Sequence, residues 1–390
     1  MDIASNIDDK MVKKIPVKIL QFTNLINRYD FLDNIIEFGD RKKIETGVCI
    51  CTAEGPIENP VFRDEMFLRV LNEKLTYLTI PRITWKLIKV IREWQPDILQ
   101  THHFEEAFIG FLAKKFCPGV KLIIGRHYSD FLYHLPSGVK KRALFKIEAL
   151  SNNAAETIMV PTHSIAKLLI ERQNIASGKV KVIPYGFDER KFTIPSDAEV
   201  NKLRDELNLN GKFVVGNFSK LIPEKGLCYL IGAAAKLKVI IPNLLIVIAG
   251  EGHHKIILER QVSDLGLEDI IKFIGFRRDA MTLMQTFDVV VQTSLQEAFG
   301  QVVVEAMWMK TPIVTTDVGI APDIIETGVN GILISKADEN SIVEAVKKLA
   351  NDQILCQKLT ENGQKFVKDN LAIGKVIKIY EDTYDQIVSQ

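Results

Sequence analysis

The chain has 390 residues, 47% hydrophobic and 25% charged, with 50 Lys and Arg against 49 Asp and Glu. That length exceeds one ordinary core and points to two domains, and the composition is globular, with no low-complexity or collagen-like bias. A net charge of +1 excludes the clear basic excess of a dedicated nucleic-acid binder.

The charge is unevenly spread. Residues 1–190 hold 28 basic and 23 acidic side chains, a balance of +5, which leaves 22 and 26, or −4, for the rest. A mildly basic first half suits an anionic acceptor or membrane surface. Cys49, Cys51, Cys117, Cys228 and Cys356 are odd in number and mostly set in apolar runs, which reads as buried thiols in a reducing compartment. No Cys or His cluster supplies metal-ligand spacing, so no zinc site is expected. The polar N-terminus lacks an apolar signal core, and no apolar run reaches the ~18 residues of a membrane span. The expected location is therefore the cytoplasm.

In chain order, short apolar strands are expected at 17–22, 47–51 and 98–100, followed by a helix over 105–116. Strands follow at 121–124, 157–160 and 180–183, with Thr162 and Ser164 opening an amphipathic helix after the second of them. A polar stretch from 184 to about 210, rich in Pro, Asp, Lys and Asn, reads as a linker. The second series places strands at 213–216, 244–249, 271–273, 289–292 and 312–315, a helix at 226–237, and two or three helices over 341–389. Strands alternating with helices give βαβ units and parallel sheets. The expected fold class is α/β, with two Rossmann-like doubly wound domains, 1–190 and 191–371, facing across a cleft where the carboxyl ends of strands gather ligands.

Residues 294–307, Ser-Leu-Gln-Glu-Ala-Phe-Gly-Gln-Val-Val-Val-Glu-Ala-Met, carry the most information. They follow a strand and open a helix near Gly300, and a helix start with its unpaired N–H groups seats phosphate. Glu297 and Glu305, eight positions apart, either face one cleft and accept hydrogen bonds from sugar hydroxyls, or serve as a helix cap and a solvated helix residue. Gly250 and Gly252 end a strand where missing side chains either admit a nucleotide or make a tight turn. Phe276 follows the next strand and borders a base on the first of those readings. His127 ends a strand in the first half, either lining the cleft or as a structural residue.

The pattern Glu297, seven residues, Glu305 resembles the signature of the large group 1 family of retaining glycosyltransferases with the GT-B fold. Ser219-Lys220-Leu-Ile-Pro223-Glu-Lys225-Gly226 is similar to that family's Gly-Arg-Leu-x-Pro-Glu-Lys-Gly loop, and Val182-Ile-Pro-Tyr-Gly-Phe-Asp188 to its Val-Ile-Pro-Asn-Gly-x-Asp hinge. Ala249-Gly-Glu-Gly252, Thr316-Asp-Val-Gly319 and Gly328-Val-Asn-Gly331 fall in the family's order, so the resemblance spans residues ~97–335. It implies a metal-independent enzyme in which Glu297 holds the donor sugar. The amides of Ala298, Phe299, Gly300 and Gln301 would meet the phosphates, and Glu305 would bind the ribose. Lys220 and Lys225 would neutralise the departing diphosphate, a task other enzymes give to a divalent metal. His127 would assist, and His102, beside His103, would face the cleft as in the family's His-x-His loop. The terminal helix, about 372–390, would pack back on the first domain.

Four departures stand out. The first loop, Thr23 to Arg28, lacks the family's paired glycines; Ser219-Lys220 replaces Gly-Arg; Tyr185 stands where Asn is usual; Lys310 stands where Gly is common. The basic stretch Lys140, Lys141, Arg142 and Lys146 is either a solvated helix face or a docking surface for an anionic membrane. The family resemblance implies transfer of a hexosyl or N-acetylhexosaminyl group from a nucleotide-sugar, UDP before GDP, to a glycan or lipid-linked acceptor. The alternatives are a GT-B nucleotide-sugar epimerase and a non-catalytic nucleotide-sugar-binding subunit.

Overall fold

A computed structural model describes residues 16–24, 30–52, 65–129, 132 and 135–390. Thirteen strands fall within them: β1 (Val17–Thr23), β2 (Ile44–Ile50), β3 (Leu68–Val70), β4 (Ile98–Thr101), β5 (Lys121–Gly125), β6 (Thr157–Val160), β7 (Val180–Val182), β8 (Phe213–Phe218), β9 (Leu244–Ala249), β10 (Ile271–Gly275), β11 (Val289–Gln292), β12 (Ile313–Thr316) and β13 (Ile332–Ile334). They form a seven-stranded sheet in the order β3-β2-β1-β4-β5-β6-β7 and a six-stranded sheet in the order β10-β9-β8-β11-β12-β13. The pairings of β1 with β2 and β4, and of β8 with β9 and β11, are parallel. The fold class is α/β, with two Rossmann-like sheets of the GT-B type.

Burial explains the strand sequences. Leu244–Ala249 is buried at every position and reads as one continuous apolar run, as expected of a central parallel strand covered on both faces. Ile246 and Ile248 join Leu230, Ile231 and Leu237 in one core cluster, while Leu245 and Val247 join Phe287, Val303 and Met307 in another. These alternating faces bury helices on both sides of the six-stranded sheet.

Three features differ from the sequence expectation. The stretch expected as a linker contains the helix Asp197–Glu206, capped by Ser196, whose hydroxyl accepts from Glu199 N while the Glu199 carboxylate accepts from Ser196 N at 2.8 Å. Ser-x-x-Glu spacing is the signal for it. The helix Ile80–Trp94 was not expected; it buries Ile80, Ile83, Leu87, Ile88 and Ile91 on one face, with Pro81 in its first turn. The edge strands β3 and β13, three residues each, are too short to carry a readable period. The C-terminal region resolves into three helices, Glu339–Asn351, Gln353–Asn370 and Ile373–Ser389.

Contacts divide the chain into two compact units, one holding the described residues up to Gly125 with Lys146–Ile158 and Ile377–Gln390, the other holding Arg126–Phe145 and Met159–Val376. The end of the last helix is fixed within the first unit. Tyr384 is fully buried and donates to Gln100 Oε1 at 2.6 Å. Glu381 accepts from Asp40 N at 2.8 Å and from Lys43 Nζ at 2.9 Å. Among the described residues, no helix is long and apolar enough to cross a membrane.

Lys310, just past the helix Gln301–Trp308, has φ +55°. A Cβ in that left-handed region crowds the backbone, whereas glycine enters it freely. Lys310→Gly is therefore expected to stabilise the protein by about 1 kcal/mol, a rise in melting temperature of roughly 2–4 °C that calorimetry would register.

Candidate functional site

In the six-stranded sheet the strand order reverses between β8 and β11, and an open α/β sheet gathers ligands at such a point, beyond the carboxyl ends of its strands. The loop after β8 is Ser219–Gly226, and the loop after β11 runs from Thr293 to Gly300. Between them lies a cavity of about 460 Å³ lined by Ser219, Lys220, Lys225, Ser294, Glu297, Gly300, Gln301 and Thr315, among others.

Backbone contacts fasten the two loops together. Leu295 N donates to Glu224 O at 2.8 Å, and Thr293 Oγ1 donates to Lys225 O at 3.1 Å. Gly226 makes this approach possible: its φ is +60°, and a Cβ there would stand 2.2 Å from Thr293 O. Gly319 does the same behind Glu297, where a Cβ would meet Phe299 O at 2.2 Å and Glu297 Cβ at 2.8 Å.

The side chains follow from this backbone. Lys225 Nζ lies 2.5 Å from Glu297 Oε1, which also accepts from Ser294 Oγ at 2.8 Å. Both members of the ion pair are about one-fifth exposed, at 20% and 19%, so each charge is partly shielded and still reachable from the cavity. Glu297 is not the helix cap. That position belongs to Gly300, with φ +91°, and the helix Gln301–Trp308 starts at the cavity wall. Val303 N already donates to Gly300 O at 3.0 Å; the amides ahead of it, at Gln301 and Val302, have no acceptor within an α-helix and favour an anion. Lys220 is exposed on the same wall.

Other expected residues lie elsewhere. Ala298 and Phe299 are not part of the cavity lining; Phe299 is buried, its ring 4.5 Å from that of Tyr185. Glu305 is half-buried and sits one helical turn beyond Gln301, on the same face. Gly250 and Gly252 are pressed against protein backbone: a Cβ on them would stand 1.8 Å from Ser219 O and 2.3 Å from Leu221 O. They brace the Lys220 loop. Phe276 is 69% exposed and outside the cavity.

His127 Nδ1 and the Tyr185 hydroxyl share a hydrogen bond of 2.6 Å. With Phe299 against Tyr185, and Gln296 Nε2 donating to Ser129 Oγ at 2.6 Å, the segment after β5 is tied to the Glu297 loop twice. Tyr185, noted in the sequence only as a departure, is thus the partner of His127. Ser294, the second partner of Glu297, was quoted only as part of the motif; its place three residues ahead of Glu297 is the signal for it.

His102 is fully buried and donates through Nε2 to Gln21 Oε1 at 2.8 Å. Burial lowers its pKa to about 3 and that of His103 to about 4. Glu106, which sequence reading missed, accepts from Asn24 N, His102 N and His103 N at 2.6, 3.2 and 2.9 Å, and burial raises its pKa to about 8. The capping spacing His103-x-x-Glu106 is its signal. Among the described residues, no group of three or more His, Cys, Asp and Glu is arranged to hold a metal ion.

A doubly wound sheet with an amide-lined, lysine-bearing crevice at its switch point defines an α/β protein of the kind that grips phosphorylated ligands. The comparisons place it more narrowly. The sequence profile of the Glycosyl transferases group 1 family matches residues 199–366, and that of Glycosyltransferase Family 4 matches residues 31–191. A glycosyltransferase of Methanocaldococcus jannaschii, itself uncharacterized, is 29% identical over 306 residues, 74% of this chain and 75% of that one. The UDP-Gal:alpha-D-GlcNAc-diphosphoundecaprenol alpha-1,3-galactosyltransferase of Escherichia coli is 23% identical over 85% of this chain and 88% of its own. Anabaena HepE, solved in complex with UDP-glucose, superposes with a TM-score of 0.78 at 25% identity, covering 95% of this chain and 99% of that one. The chain belongs to the group 1 glycosyltransferases and is a glycosyltransferase enzyme.

The neutral His102 links pH to stability. Its folded pKa of about 3 lies below the ordinary 6.5, so the contribution is complete above pH 6.5 and is lost as pH falls toward 3. Glu106 acts in the opposite sense, its contribution complete below the ordinary carboxylate range and lost as pH rises through 8. Between pH 7 and pH 5, His102→Gln is expected to lose about 2 kcal/mol less stability than the parent, as read from urea melts at the two pH values.

Proposed function

We propose that this enzyme transfers a hexosyl or N-acetylhexosaminyl group from a nucleotide-sugar to a glycan or lipid-linked acceptor, with retained anomeric configuration and without a metal. The observation that carries the reading is the Lys225–Glu297 pair at 2.5 Å, set in the same cavity as Lys220 and the start of the helix Gln301–Trp308. A sugar diphosphate matches that set group by group. The amides at the helix start meet the phosphates. Lys220 and Lys225 offset the charge that grows on the diphosphate as it leaves, the part a divalent cation plays elsewhere. Glu297, held by Ser294, accepts from sugar hydroxyls, and Glu305 reaches the ribose from the face it shares with Gln301.

In the transfer step the bond from the anomeric carbon to the diphosphate oxygen breaks and a bond to the acceptor oxygen forms on the same face. The acceptor's proton passes to the diphosphate. His127, held by Tyr185, orients the sugar or acceptor and forms no covalent intermediate. UDP is favoured over GDP because HepE was solved with UDP-glucose and the Escherichia coli relative is named for UDP-Gal. The alpha linkage in that enzyme's name fits retention from an α-linked donor. Its diphosphoundecaprenol acceptor supports a lipid-linked acceptor, a place in cell-surface polysaccharide or glycolipid synthesis and work at the inner face of a membrane. The helix Val139–Ala154, with Lys140, Arg142 and Lys146 exposed and Lys141 turned to Leu135 O at 2.9 Å, offers a basic surface for that contact.

Glu297→Ala and Lys225→Ala are each expected to lower turnover at least ~10²-fold, the order lost with one preorganised donor. Turnover within twofold of the parent in either variant would overturn the assignment. A thermal-shift screen of UDP-, GDP- and ADP-sugars in EDTA is expected to show a rise with a UDP-sugar, since binding to the folded state adds to its stability. A shift that needs added divalent metal would remove the metal-independent reading while leaving the transfer itself in place.

A further inference from the structure

Among the described residues, none buries the outer face of the helix Ile80–Trp94. That face begins at Leu78, 93% exposed and just before the helix, and continues through Arg82, Trp85, Lys89 and Arg92. The spacing of three and four residues puts these on one stripe, opposite the buried Ile83, Leu87 and Ile91. Trp85 is 55% exposed with Lys89 Nζ 3.5 Å from its ring centroid. At the far end Arg92 Nη2 donates to Phe116 O at 3.5 Å, bringing in the ring of Phe116, 62% exposed. The helix carries Arg82, Lys86, Lys89 and Arg92 against Glu93 alone, a balance of +3. Glu73 pairs with Lys86 and with Arg82 of the stripe, and Glu93 pairs with Arg69, so Lys89 and Arg92 are the cations of this face that no described ion pair offsets.

Large apolar side chains exposed in a row are costly in water and mark an interaction surface. Here they alternate with cations on long apolar stems, and a Trp lies under one of the ammonium groups. A protein interface core is depleted in charged residues, Lys among them, whereas a bilayer interface accepts both parts. Trp and Leu enter the headgroup region, Lys and Arg stay with the phosphates, and anionic lipid supplies the opposite charge.

We propose that the outer face of the helix Ile80–Trp94, with Leu78 and Phe116, is a docking surface for an anionic lipid bilayer. The inference does not rest on the donor site, which lies in other residues, and it names a different surface from the basic helix Val139–Ala154.

The test is co-sedimentation of the full chain with vesicles of phosphatidylcholine alone, and with phosphatidylglycerol making up about a third of the lipid. The parent is expected to partition onto the anionic vesicles only, and to be released as ionic strength rises to about 0.5 M. The double variant W85S/K89E is expected to bind about tenfold more weakly or less. Trp85→Ala, which removes area without changing charge, is expected to weaken binding too and provides a second variant if the double one misfolds. The triple variant K140E/R142E/K146E, on the other basic helix, is expected to weaken binding without abolishing it, because the face of Trp85 and Lys89 is left in place. The proposal is overturned if the parent ignores anionic vesicles or binds phosphatidylcholine equally, if folded W85S/K89E binds as the parent does, or if only the triple variant loses binding. Self-association of the parent that Trp85→Ala abolishes, without vesicle binding, would overturn it in favour of a second copy.

Discussion

The site is organised by one ion pair, Lys225 with Glu297, and by the glycines that let it form. A part-buried pair of this kind gains attraction on the order of 4 kcal/mol at an effective dielectric of ~20, and desolvation offsets much of that. Its value therefore lies in placement more than in stability. Lys225 ends the loop after β8, Glu297 stands in the loop after β11, and the backbone bonds from Leu295 to Glu224 and from Thr293 to Lys225 make the two loops one body. A side chain at Gly226 would collide with Thr293 and one at Gly319 with Glu297, so either substitution would part the loops before it touched a ligand. On the proposed reading an arriving diphosphate replaces Glu297 as the partner of Lys225, and the freed carboxylate oxygen turns to a sugar hydroxyl.

How far this could be read from sequence depended on how local each signal was. Glu297, Lys220, Lys225, Gly300 and Gln301 line one cavity because they stand in or just after the loops that follow two neighbouring parallel strands, β8 and β11, and the motif order of the family resemblance is what marks the two lysines. The neighbouring candidates show the limit of that logic. Ala298 and Phe299 share the loop, yet the turn sends Phe299 inward onto Tyr185, and no spacing rule foretells that. Gly250 and Gly252 suggest in the sequence either room for a nucleotide or a tight turn, and what stands against them in this structure is the backbone of Ser219 and Leu221. The helix Ile80–Trp94 went unread because Pro81 looks like punctuation, although proline is at home in a helix's first turn. The capped helix Asp197–Glu206 was hidden by its composition, since it buries Leu203 alone and so shows almost no apolar period.

The same topology appears twice, and comparing the two reversals separates fold from site. In the seven-stranded sheet the order reverses between β1 and β4. There the described residues fill the position with protein: His102 donates to Gln21, Gln21 to Gln100, and Tyr384 to Gln100, while Glu106 gathers the amides of Asn24, His102 and His103. Each group buried there has a partner, as it must when an unpaired one costs about 1–3 kcal/mol. A ligand would have to break that chain of bonds to use these side chains, so an acceptor would have to be read by residues further along the loops. In the six-stranded sheet the corresponding position is held by two lysines, a glutamate and a helix start around open space. The strand order sets where a crevice can be. Whether it becomes a binding site is decided by whether charged side chains and helix amides are left reachable from open space, as around Lys220, Lys225 and Glu297, or are buried against protein, as His102 and Glu106 are.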